Sequence, residues 1–150
     1  MSKLKEQLYI KCSEYIKSHE AEIRKTIADA QEAANDDTKS SAGDKFETGR
    51  EIMQQEIDLN LARLSELNKL KQTLERIIPS QKSSTVQPGS VVRTNNGNYY
   101  LSISAGTLKV DHTVYYAISA ASPIGSKLSG LSAGNEFTFN GKKFIVEIVA

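Results

Sequence analysis

The 150-residue chain carries 19 Lys+Arg against 18 Asp+Glu, with 39% hydrophobic and 25% charged residues. So even a balance excludes the strong single-sign field of a protein that binds polyanions or membrane surfaces by charge alone, and the length allows one or two small domains. Cys12 is the sole cysteine, which excludes a disulfide framework and a thiolate zinc site. The opening MSKLKEQLYIKCSEYIKSHE has charges throughout and no apolar h-region. No run approaches the roughly 18 apolar residues of a membrane helix. The expectation is a soluble, cytoplasmic chain with no membrane partner.

From Leu4, apolar or small residues recur at helical spacing through Leu8, Cys12, Tyr15, Ile16, His19, Ile23, Ile27, Ala30 and Ala34. A second stripe runs Phe46, Met53, Ile57, Leu61, Leu64, Leu67, Leu70, Leu74 and Ile78, and stops at Pro79, which disfavours helix at the residue before it. Each predicted helix is about 45 Å long at 1.5 Å per residue. Two narrow stripes of similar length, joined by a polar bend, predict an antiparallel coiled-coil hairpin over residues 1–79.

Residues 35–47 form the acidic tip of that hairpin. Asp44 followed by Glu47 fits a capping box at the start of the second helix, and both acids suit its positive end. Asp36 and Asp37 are placed directly after the first helix, where the dipole is negative and acids are disfavoured by some tenths of a kcal/mol. One reading is an Asx-turn that stops the helix. The other is a pair of exposed carboxylates offered to a divalent cation, held weakly unless a partner supplies further ligands. Lys39 and Lys45 flank the acids as solvated partners or phosphate contacts, while Ser40 and Ser41 have no neighbouring base to make either a nucleophile.

Residues 80–87 are a linker by composition. Beyond it the pattern alternates: SVVRT, YYLSISA, TVYYAIS, EFTFN and KFIVEIV are strands, with NNGN and NG as hairpin turns. Residues 88–150 are therefore expected to form a mostly antiparallel β domain with one short helix in SPIGSKLSGLSAGN. The fold class is α+β. Two of Tyr99, Tyr100, Tyr115 and Tyr116 are expected in the core. His19 is expected to be packed or half-buried on its stripe, and His112 to sit at a strand edge. No phosphate loop, dinucleotide fingerprint or nucleophile elbow is present. No enzyme activity of its own is expected.

SPIGSKLSGLSAGNEFTF followed by KKFIVEIV resembles the closing stretch of the Gre transcription elongation factor family. Ser122, Pro123, Ile124, Gly125, Leu128, Gly130, Gly134 and Glu136 match without a gap, while Asn135 stands where Asp is usual and Lys127 where Ala is. The order of hairpin, acidic tip, linker and β domain matches as well. The resemblance implies an FKBP-like C-terminal domain at the rim of the RNA polymerase secondary channel, with Ser122–Gly125 as a tight turn near that contact. It also implies a hairpin entering the channel, with tip acids helping to hold the polymerase's second Mg²⁺ for cleavage of backtracked RNA. On that reading the chain is a monomer without a cofactor of its own, meeting nascent RNA and DNA only indirectly.

The tip departs from the family pattern Gly-Asp-x-Ser-Glu-Asn. With Asp37 at the Asp position, the Glu position is Ser40; with Asp44 there, Glu47 has the right spacing but lies further along the second helix. The candidate metal-directed acids are therefore Asp36 and Asp37, with Asp44 and Glu47 in reserve. The alternative activity is a non-cleaving regulator or inhibitor that occupies the same channel. Two further alternatives are a prolyl isomerase or chaperone, for which a domain lacking tryptophan offers a poor aromatic pocket, and a plain coiled-coil interaction protein.

Overall fold

A computed structural model of the chain describes residues 2–39 and 43–150, with side chains described outside 36–48. The architecture is α+β: a long N-terminal helical hairpin followed by a small, mostly antiparallel β domain. Helix α1 is Ser2–Lys39 and helix α2 is Gly43–Glu75. Six strands follow: β1 Val91–Thr94, β2 Gly97–Leu101, β3 Gly106–Val110, β4 Thr113–Ile118, β5 Glu136–Phe139 and β6 Lys142–Val149. The short helix α3, Pro123–Leu128, lies between β4 and β5. Two compact units divide the chain: Met1–Tyr15 with Leu70–Ala150, and Ile16–Lys69.

In the second unit the buried positions are Ile16 and Ala30 on α1 and Ile57, Asn60 and Leu67 on α2. Leu61, expected on the seam, is 49% exposed, whereas Asn60 is 3% exposed. The steps 57, 60, 64, 67 alternate three and four, the spacing of a coiled-coil seam, and Leu61 falls one residue off it. Asn60 satisfies its amide locally, donating to the Glu56 carbonyl at 2.9 Å and accepting from Arg63 at 3.5 Å. His19 is exposed. It borders a cavity of about 580 Å³ between the helices, with Asn60 and Arg63 on the other wall.

In the first unit the strand order is β3-β4-β2-β1-β6-β5. All pairings are antiparallel except β2 with β4. Strand β3, over GTLKV, was not anticipated from sequence. The short turns carry the backbone that tight hairpins need. Asn140 and Gly141 have φ of 49° and 77°, and Asp111 and His112 have 50° and 66°. The β1–β2 turn is tied to β6, with Asn95 Oδ1 accepting from the Ile145 amide at 2.7 Å.

Both faces of the central strands are covered. Val92, Tyr99, Leu101, Phe144 and Val146 form one core with Leu128 of α3 and Val86 of the linker. The alternate residues Val91, Tyr100 and Ser102 point the other way and are equally buried. There they meet the first turns of α1: the Cys12 thiol lies 3.5 Å from the Ser102 hydroxyl, and the Lys5 ammonium donates to the Gln81 carbonyl. The early stripe of α1 thus packs on the sheet, correcting the expectation that it served only the partner helix. With both faces covered, three of the four strand tyrosines are buried, not two: Tyr99 in the first core and Tyr100 and Tyr115 on the other face, while Tyr116 is 44% exposed.

A candidate partner-binding cleft on the β domain

Helix α3 starts at the sequence motif. Ser122 is its N-cap, with Pro123 in the first turn. The Ser122 hydroxyl donates to the Ser119 carbonyl at 2.7 Å and accepts from the Gly125 amide at 3.0 Å. This satisfies an N–H that has no partner within the helix. A β-carbon at Gly125 would lie 2.0 Å from the Ser119 carbonyl oxygen. Only glycine allows the helix to start this close to the end of β4. Ser122–Gly125 is therefore a helix start and not the tight turn expected.

The motif opens onto an aromatic cleft of about 460 Å³. Tyr99 and Tyr116 stand opposite one another on the parallel pair β2 and β4. Their ring centroids are 5.7 Å apart, at 38°. Phe144 of β6 stacks on Phe137 of β5 at 4.9 Å and 11°. Ile124, Phe139 and Phe144 line other walls, and Asn96, Asn140 and Lys142 supply the polar groups. Burial, and then the neighbouring Tyr116, push the Tyr99 phenol above its ordinary value, and its hydroxyl donates to the Asn96 carbonyl at 3.4 Å. An apolar cleft with a few polar groups in its walls suits an apolar side chain or ring. Four rings from four strands converge, which no local stretch of sequence reveals.

Of the tip residues, Asp36, Asp37 and Lys39 lie on the closing turn of α1, which runs to Lys39 and so extends past the end expected at Ala34. Asp44, Lys45 and Glu47 lie in the opening turns of α2, which begins at Gly43, placing Asp44 inside the helix and not at its cap. The side chains of all six fall outside the described residues. Among the described residues, no three His, Cys, Asp or Glu are grouped to hold a metal ion, and no helix is long and apolar enough to cross a membrane.

No protein-family model matches the sequence, and no curated protein matches it. Among solved structures the chain is similar to the transcription factor Gfh1, at 20% identity and a TM-score of 0.34, over 94% of this chain and 92% of that one.

Proposed function

We propose that this chain is a Gre-type factor that binds RNA polymerase at its secondary channel and acts on paused or backtracked complexes. The observation that carries the reading is the ungapped match from Ser122 to Glu136, whose Ser122 and Gly125 are tied together by the cap bond beside the aromatic cleft. On this reading the cleft, with Tyr116, Ile124 and Lys142 in its walls, is the docking face. The hairpin then carries Asp36 and Asp37, with Asp44 and Glu47 near them, toward the catalytic Mg²⁺ of the polymerase. That ion would supply charge stabilisation and an activated water for RNA cleavage. The chain's own part is to add hard carboxylate oxygens and position them.

The altered tip spacing favours a second reading, in which the factor occupies the channel and inhibits without stimulating cleavage. One experiment separates them. The chain is tested for co-purification with core RNA polymerase and then added to a stalled elongation complex. Shortened RNA that disappears in Asp36→Asn, Asp37→Asn, with binding retained, supports cleavage assistance. Binding without shortened RNA supports the inhibitor, and absence of co-purification rejects both.

A further inference from the structure

A second cavity, of about 470 Å³, lies in the same compact unit, away from the aromatic cleft. It is walled by the start of α1, the linker and the end of β6. Lys5 and Lys82 line it with Ser2, Ser80, Ser83 and Ser84 and with Val149 and Ala150; no Asp or Glu side chain does, and the Ala150 carboxylate pairs with neither lysine. Lys5 is 4% exposed. Its ammonium has three protons to donate and makes one hydrogen bond, to the Gln81 carbonyl. None of the ion pairs among the described residues reaches either lysine.

A buried ammonium held by a single neutral acceptor is costly unless an anion completes it. Burial also lowers the pKa of Lys5 from its ordinary value. Around it, the hydroxyls of Ser2, Ser80 and Ser84 make no hydrogen bond among the described residues, and Lys82 makes none either. Ser83 instead donates to the Thr85 carbonyl at 2.7 Å. The first turn of α1 carries no acid, so the positive end of a 38-residue helix adds to the same wall. Two cations, several hydroxyl donors and a helix N-terminus around one cavity form a donor set for tetrahedral oxyanions.

We propose that this cavity binds a phosphate group carried by a small molecule, such as inorganic phosphate, pyrophosphate or the terminal phosphate of a nucleotide. Its volume exceeds that of a bare phosphate and falls in the range of small-ligand sites. Binding would clamp the linker against the start of α1, because Lys5 and residues 80–84 approach the anion from different elements. The proposal does not depend on polymerase binding.

The test is an amide NMR titration of the tag-free full chain with inorganic phosphate and with pyrophosphate, at constant ionic strength set by chloride. Saturable shifts confined to residues 2–6 and 80–84 are expected. Lys82→Ala, at an exposed position, should weaken binding roughly ten-fold, the loss of one charge-assisted hydrogen bond, and Ser84→Ala should weaken it less. Three results overturn the proposal: no saturable shift, shifts spread equally over Lys109 and Lys127, or affinity unchanged in Lys82→Ala. A single-stranded oligonucleotide that perturbs these amides while both small anions leave them unmoved also overturns it.

Discussion

Cys12 Sγ and Ser102 Oγ lie 3.5 Å apart, ninety residues distant in sequence, where the first turns of α1 close over the sheet. Both residues are buried, and beneath them Tyr100 has no exposed surface. The sheet thus gains its second hydrophobic layer from the opposite end of the chain. The start of α1 belongs to the β domain's core as firmly as any strand.

This burial sets a pH dependence. Desolvation raises the pKa of both the Cys12 thiol and the Tyr100 phenol, and most strongly that of Tyr100. Both groups are neutral when protonated, so the unfolded chain releases their protons first and stability falls with rising pH. The loss begins as pH passes the ordinary values of 9.0 and 10.0. Lys5, whose pKa is lowered, pulls the other way over the same range, but the large shift at Tyr100 outweighs it. Urea midpoints should be flat near neutrality and drop above about pH 9, and Tyr100→Phe should reduce that drop.

Gly125→Ala places a methyl against the Ser119 carbonyl. Because the obstacle is backbone, relief requires α3 to move, and a cost of about 3 kcal/mol is expected. Ser122→Ala removes the cap alone and should cost about 1 kcal/mol. Chemical denaturation of the two variants should preserve that order; equal losses would show that Gly125 is not sterically pinned.

Asn60 is the polar residue in the α2 seam. Polar groups at such positions select register and partner number at a cost in stability. Asn60→Leu should raise the urea midpoint by the equivalent of about 1 kcal/mol, and sedimentation should show whether a single oligomeric species survives. A lower midpoint would mean that the bonds to Glu56 and Arg63 contribute more than the apolar replacement.

Tyr116 is the exposed wall of the aromatic cleft. Tyr116→Ala should leave the thermal midpoint within a few degrees of the parent, yet weaken retention on core RNA polymerase roughly ten-fold if the cleft is the docking face. Unaltered retention would move the contact to another surface.

Much of this was legible from residue order. Helical spacing placed α1 and α2, because an amphipathic helix must repeat near 3.6 residues wherever it packs. Alternation and turn residues located five of the six strands, and the Ser-Pro-Ile-Gly stretch located α3. GTLKV was missed because it offers only two apolar side chains, Leu108 and Val110, with no aromatic among them, and its pairing with β4 supplies what that local pattern lacks. The early stripe of α1 declared a buried face but not its partner. An apolar stripe records only that water is excluded, and the sheet excludes it as well as another helix does. Asn60 in the seam and Leu61 outside it were likewise settled by a shift of one residue in phase, which composition does not encode. The aromatic cleft and the lysine-serine cavity each draw on residues far apart in sequence. Their geometry exists only once the strands are paired and α1 has closed over the sheet, because convergence of side chains is a property of packing and not of order along the chain.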